Sequence, residues 1–193
     1  MATHEHEHEH RTATPAGDAV TAHWLQGASR LPSPHQDARP AGVEPSLVIL
    51  HGISLPPGRF GTGVVESLFL GQLPVPEQRA YPDLVGLRVS SHLFMRRDGS
   101  IAQFVPFDRR AWHAGRSAWR GRAGCNDFSI GIELEGMDLL PYADAQYDAL
   151  ARTLPALRAA YPGIVQDAIV GHEHVAPGRK TDPGPAFEWH RLR

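Results

Sequence analysis

Ser46-Leu47-Val48-Ile49-Leu50-His51 is a short apolar run that ends on an imidazole and is followed at once by Gly52-Ile53-Ser54-Leu55-Pro56-Pro57-Gly58. The run is short, and prolines 56 and 57 break regular structure just beyond it, so it reads as a buried strand. His51 therefore stands at a strand end. A second run, Ser129-Ile130-Gly131-Ile132-Glu133-Leu134, alternates with a period of two, which puts Ile130, Ile132 and Leu134 on one side. Glu133 faces away from that apolar side. A third short strand candidate, Ala168 to Gly171, opens directly onto His172-Glu173-His174 and a turn-rich stretch ending Arg179-Lys180-Thr181-Asp182-Pro183-Gly184-Pro185. A loop that gathers imidazoles, a lysine and a carboxylate is a poor core and a good site. His51 and His172 meet only if the first and last of these strand ends are neighbours, which is an expectation about the fold.

Around these strands the remaining elements fall into place. Val89 to Arg96 and Ile101 to Val105 read as strands joined by Arg97-Asp98-Gly99-Ser100, where Asp-Gly supplies hairpin turn chemistry. Thr62 to Leu70 reads as a short helix and residues 71–86 as a loop. Tyr147, Leu150, Ala151, Leu154, Leu157 and Arg158 recur at helical spacing between Asp144 and Tyr161, with Asp144 available as a cap. Pro155 removes one backbone bond and is expected to kink or split that helix. Residues 32–45 read as irregular. Residues 1–22 begin with alternating His and Glu from His4 to His10 and lack apolar content, so they are expected to be a disordered tail ahead of one domain, 23–193.

At 193 residues, 41% hydrophobic and 21% charged, the chain suits a single soluble α/β domain with helices packed on a sheet. Its 17 prolines and 19 glycines imply long connections. A formal net charge of −2, with acids and bases mixed along the chain, provides no electrostatic footprint for nucleic acid or an anionic membrane. Cys125 is the single cysteine, so no internal disulfide can form and a metal site must use His, Asp or Glu. With no apolar leader segment and no run of about 18 apolar residues, the expected location is the cytoplasm.

A catalytic zinc ion takes three protein ligands and keeps a fourth position open. His51, His172 and Asp182 can supply that set, with His174 competing for the place of His172. Zinc acidifies bound water and polarises a carbonyl, so amide hydrolysis needs only a base and a charge to balance the oxyanion. Glu133 suits the first role and Lys180 the second. Each residue alone has an ordinary reading: a hydrogen-bonded core histidine, an exposed strand glutamate, a solvated lysine, a turn-forming aspartate. Their joint occurrence favours a metal hydrolase.

Six blocks carry a resemblance: His51-Gly-Ile-Ser-Leu-Pro-Pro-Gly58, Arg88-Val-Ser-Ser-His92, Arg96-Arg-Asp-Gly-Ser100, the stretch from Val105 through Trp112 and His113 to Gly115, Cys125-Asn-Asp-Phe-Ser-Ile-Gly-Ile-Glu-Leu-Glu-Gly136, and Arg179-Lys-Thr-Asp-Pro-Gly-Pro185. From about Leu25 to the C-terminus the chain resembles the 1,6-anhydro-N-acetylmuramyl-L-alanine amidases of the AmpD type, an amidase family related to peptidoglycan-recognition proteins. The resemblance implies a mixed β-sheet flanked by helices, one zinc (Zn2+) on His51, His172 and Asp182, and catalysis by Glu133 and Lys180. It implies a muropeptide substrate cleaved between the muramic-acid lactyl carbonyl and L-alanine, in peptidoglycan recycling that also keeps the β-lactamase induction signal low. Arg88, Trp112 and His113 are candidate substrate contacts, since an aromatic face suits a sugar and a guanidinium suits a carboxylate. The chain departs from the pattern at Gly52, where Asn is common, at Gly124, where a basic residue is usual, and at His174. The expected form is a monomer or weak oligomer. The competing readings are a broader amidase acting on intact peptidoglycan and a non-catalytic muropeptide-binding module that retains the groove.

Overall fold

The computed structural model of the chain describes residues 18–192. Six strands build the central sheet: β1 (Ser29–Arg30), β2 (Leu47–Ile53), β3 (Leu93–Met95), β4 (Ile101–Gln103), β5 (Ser129–Glu135) and β6 (Ile169–Gly171). Their spatial order is β6-β2-β5-β3-β4-β1. Only the β3–β4 hairpin is antiparallel, so the sheet is mixed, as expected. The first and last strand ends are indeed neighbours, because β6 pairs with β2.

Central parallel strands are covered on both faces, which is why β2 reads as a nearly continuous apolar run, whereas β5 alternates apolar residues with Ser129, Gly131 and Glu133. On one face Val48, Leu50, Ile130, Ile132 and Leu134 pack against Tyr147, Leu150, Leu154 and Leu157 of the long helix Asp144–Ala160. Each such side chain contributes about 1.5–3 kcal/mol on burial. The opposite face begins with Leu47 and Ile49 against Ala114, Cys125, Phe128 and Val175. Farther along this second face the apolar residues give way to His51 and Glu133. Alternation thus separates the two jobs of each strand, with structure on one side and chemistry on the other.

Several local expectations need correction. Pro155 does not split its helix, which runs unbroken through it. The proline is exposed, so the carbonyl it leaves unpaired one turn back faces water. Asp144 is not the cap: it is the first helical residue, and the Gln146 side chain accepts the Ala143 N–H instead (3.0 Å). Residues 71–86 are not all loop, since Val75–Ala80 is a helix with proline in its first turn, where a missing N–H costs nothing. Gln36–Ala38, inside the stretch read as irregular, forms an antiparallel ribbon with Arg109–Ala111. The strand expected from Val89 is regular only over Leu93–Met95, because Ser90 N–H bonds to the Trp112 carbonyl (3.1 Å) outside any ladder.

The first described residues are tied into the sheet's surroundings. Val20–Thr21 pairs with Trp24–Leu25, and the Thr153 hydroxyl donates to Asp18 (3.0 Å), so residues 18–22 belong to the fold. Residues 1–17, which include the His/Glu repeat, lie outside the described residues. Among the described residues no helix is long and apolar enough to cross a membrane.

Candidate metal centre

Register brings the polar strand ends together. His51 and Glu133 are direct partners in the parallel β2–β5 pair, so their side chains project from the same face. Gly171, the last residue of β6, pairs with Leu50, and the turn of helix His172–Val175 starts immediately after it. His172 consequently emerges beside His51. The following loop returns through a bond from Glu173 N–H to the Asp182 carbonyl (3.1 Å) and another from the Tyr142 hydroxyl to the Pro183 carbonyl (2.9 Å). Gly184 completes the return at φ +84°, where a Cβ would lie 2.3 Å from Asp138 Cα, so only glycine fits.

Three ligand-type atoms converge at this point. His51 Nδ1 lies 2.9 Å from His172 Nδ1 and 3.1 Å from Asp182 Oδ2, and His172 Nδ1 is 3.1 Å from the same oxygen. A tetrahedral ion with bonds near 2.0–2.1 Å holds its ligands about 3.3 Å apart, so this triangle matches the donor set and size of a zinc site. Among the described residues it is the one cluster of His, Cys, Asp and Glu with ligand atoms this close together. The far nitrogens support it. His172 Nε2–H reaches the Ala114 carbonyl (3.1 Å) and His51 Nε2 faces His113 Nδ1 (2.9 Å), which leaves both Nδ1 atoms bare for an ion. His174 does not compete, because its segment is helical instead of extended. Its Nδ1 accepts the Gly171 N–H (2.9 Å) and its ring packs edge-on against Trp189.

Glu133 stands 3.8 Å from His51 Nδ1 and is only 9% exposed. Burial, helped by the nearby Asp182 charge, pushes its carboxyl well above the usual range, and Lys180 opposes the shift. Burial would raise Asp182 as well, but hydrogen bonds and charge from His172 and His51 outweigh it and hold that carboxyl well below its usual value. His51 is 1% exposed and is pushed down to about 4, chiefly by burial, so it is neutral at pH 7 as a ligand must be.

These residues floor a cleft of about 250 Å³ whose walls include Trp112, His113, Lys180, Leu84 and Leu87. Arg88 lies outside it, bordering an adjoining recess of about 310 Å³ with His35 and Leu87, and its guanidinium carbon sits 6.0 Å from the centre of the Trp112 ring. The indole also stacks on His35, and its N–H donates to Asp37 (3.1 Å), itself gripped by Arg110. A larger cavity of about 790 Å³ lies along the β6 edge between Trp119 and Trp189, and none of the three metal-ligand candidates lines it. Gly52 has no room for a side chain in this packing, since a Cβ would meet the Tyr142 hydroxyl at 2.3 Å.

The sequence reading missed the outer supports. Arg39 is buried and donates to the carbonyls of Phe107 (3.0 Å), Asp127 (2.8 Å) and Ser129 (2.8 Å), clamping the entry to β5. Burial pushes its guanidinium down to about 10. His92, fully buried, accepts the Gly131 N–H (3.0 Å) and is held neutral by desolvation and by Arg39. No local pattern in the sequence signals such contacts, which span 39 to 90 positions.

Acid sensitivity follows with a definite sign. His51 and His92 stay neutral when folded, whereas in the unfolded chain each takes up a proton near pH 6.5. Stability is therefore lost as pH falls from about 6.5 towards 4, with His51 alone accounting for about 3 kcal/mol across its window. The raised Glu133 works in the opposite sense, since its penalty appears only above the ordinary glutamate value of 4.5. Thermal melts of chelator-treated Glu133→Gln protein, which lacks that opposing contribution, should show a midpoint that drops steadily between pH 7 and 5; a flat profile would mean that buried imidazoles do not control unfolding.

Comparison with known proteins meets this geometry. Residues 42–185 match the family model described as N-acetylmuramoyl-L-alanine amidase. The chain is 55% identical over 170 residues to the 1,6-anhydro-N-acetylmuramyl-L-alanine amidase AmpD of Salmonella typhimurium, covering 88% of this chain and 90% of that one. It superposes on a crystal structure of a selenomethionine AmpD derivative with a TM-score of 0.87 at 52% identity, covering 90% and 97% of the two chains. A more distant neighbour is the Escherichia coli amidase AmiD in complex with anhydro-N-acetylmuramic acid-L-Ala-D-gamma-Glu-L-Lys, at a TM-score of 0.57 and 26% identity over 91% of this chain and 64% of that one. With the family model spanning most of the chain and that relative matched nearly end to end, this protein belongs to the N-acetylmuramoyl-L-alanine amidase family.

Proposed function

We propose that the chain hydrolyses the amide between 1,6-anhydro-N-acetylmuramic acid and the L-alanine of its stem peptide, with zinc held by His51, His172 and Asp182. The observation that carries this reading is the triangle of three bare ligand atoms beside a buried glutamate on one cleft floor. Its relatives' names supply the anhydromuramyl chemistry, and the muropeptide bound to AmiD supplies the substrate class. When bound, zinc contributes Lewis acidity, lowering the pKa of water and polarising the scissile carbonyl.

The protein's own residues handle the protons. Glu133 takes the proton of the attacking water and passes it to the leaving nitrogen, so that the alanine departs as a neutral amine. Its raised pKa suits both halves of that cycle, because a carboxylate poised higher holds the proton long enough to deliver it. Lys180, exposed at the rim, balances negative charge building on the carbonyl oxygen. Trp112 presents its indole to the sugar, Arg88 offers a cation to a peptide carboxylate from the adjoining recess, and His113 lines the cleft beside Trp112. The single cysteine, Cys125, leaves no internal disulfide to maintain, which suits the reducing cytoplasm that we propose for this recycling step.

The acid limb of kcat/KM reports the deprotonation of Glu133. Lys180 pulls that pKa down, so Lys180→Ala should move the acid limb to higher pH as well as lower the maximal rate. An acid limb that stays in place would separate Lys180 from the base. The direct test of function is incubation with a defined anhydromuramyl tripeptide, with and without chelator. Release of free peptide that stops on chelation and returns with zinc is expected; uncleaved substrate in the zinc-loaded protein would leave only a binding module.

A further inference from the structure

We infer that His113 is a positioning residue that sets which nitrogen of His51 is free to bind the metal, and that Ser129 and the missing side chain at Gly131 make this possible. The inference rests on the zinc-site reading above and extends it to residues behind the ligands.

A histidine that ligates through Nδ1 must carry its proton on Nε2, and that N–H needs an acceptor. For His51 the atom in place is His113 Nδ1, at 2.9 Å, with the two rings nearly perpendicular at 89°. An imidazole nitrogen can accept only if it is itself bare, so His113 must hold its proton on Nε2. That nitrogen lies 3.2 Å from the hydroxyl of Ser129, which is fully buried. The string therefore runs in one direction: His51 Nε2–H to His113 Nδ1, then His113 Nε2–H to the Ser129 oxygen. Reversing it would put a proton on His51 Nδ1, where the ion belongs.

Backbone geometry explains how the ring comes so close. It lies over β5 at Gly131, where an added Cβ would sit 2.5 Å from His113 Cγ and 2.6 Å from Nδ1. Real side chains do not approach so closely, so Gly131 is the space His113 occupies. The adjacent residue serves the other ligand, because the Ala114 carbonyl receives His172 Nε2–H (3.1 Å). Asn126 Oδ1 accepts the backbone N–H groups of both His113 (3.3 Å) and Ala114 (2.8 Å), so one side chain holds the segment that orients both metal histidines. A neutral imidazole behind His51 also adds no further negative charge to a set that already contains Asp182, which preserves the electrophilic character of a dication.

The test measures protonation and metal affinity, not turnover. Nitrogen-15 NMR of the zinc-loaded protein should show His113 bare at Nδ1 and protonated at Nε2, with coupling across the nitrogen–nitrogen hydrogen bond from His51. His113→Phe, which keeps an aromatic ring but cannot accept, should weaken zinc binding by about 10–100-fold in a competition titration. His113→Gln, whose amide oxygen can accept, should recover most of that loss, and Gly131→Ala should reproduce the loss with His113 still present. Finding His113 protonated at Nδ1 in the zinc-loaded protein, or a folded His113→Phe that binds zinc as tightly as the unaltered protein, overturns the inference. Should the phenylalanine variant fail to fold, the NMR measurement on the unaltered protein decides. An unaltered protein that binds no zinc at all would instead remove the metal centre, and this inference with it.

Discussion

Glu133→Gln is expected to keep its zinc and lose amide hydrolysis by about 10²–10⁴-fold. The substitution preserves shape and hydrogen-bonding capacity in a residue that is 9% exposed, so β5 has no reason to move. It removes the single property the mechanism needs, a carboxylate that can take a proton and return it. Glutamate in this place is costly: it is buried beside Asp182, and that charge raises its pKa further. Glutamine relieves the penalty, so the variant should be at least as stable as the parent at pH 7. Activity and stability then move in opposite directions, which is the signature of a functional residue. Zinc content, thermal midpoint and kcat measured on one preparation check all three parts. A variant within threefold of the parent rate would transfer the base to another group.

Asp182→Ala should be the most damaging change to the metal. It removes the only anionic member of the triangle and leaves the His51 and His172 Nδ1 atoms 2.9 Å apart with nothing between them. Outer-shell changes already cost about 10–100-fold in metal affinity, so loss of a direct ligand should leave zinc far below one equivalent after dialysis and hydrolysis below detection. The loop has independent anchors in the Glu173 N–H to Asp182 carbonyl bond and the Tyr142 to Pro183 bond, so the backbone should hold. Metal analysis after dialysis, read against the circular dichroism of the same sample, separates a lost ligand from a lost fold. Full zinc stoichiometry in a folded variant would take Asp182 out of the coordination sphere.

Legibility in the sequence tracked the range of the interactions involved. Ser46 to His51 and Ser129 to Leu134 could be read as strands because burial on the sheet writes a local pattern into a few consecutive residues. The helix from Asp144 was legible for the same reason. Its details were not: Pro155 is tolerated because its position faces water, and Asp144 yields the cap to Gln146, both of which depend on where the helix sits. The helix Val75–Ala80 was overlooked because it buries no residue and so leaves no apolar period. His174 looks equivalent to His172 in sequence, but the backbone turns helical at His172 and carries the second imidazole away from the ligand triangle to Gly171 N–H and Trp189.

By itself the sequence determined the chemical inventory: which strands could be buried, which imidazoles and carboxylates stood at their ends, and that a single cysteine left any metal to nitrogen and oxygen ligands. Side-chain chemistry and short-range periodicity are properties of neighbours along the chain, so they survive in one dimension. Only the tertiary structure decided which ends meet, through the β6-β2-β5 order that sets His172 beside His51 and the register that sets Glu133 opposite it. It alone decided what stands behind each ligand, from His113 over Gly131 to Arg39 beneath Ser129. Those contacts join residues dozens of positions apart, and their energy comes from desolvation and hydrogen-bond direction, neither of which exists until the chain has folded.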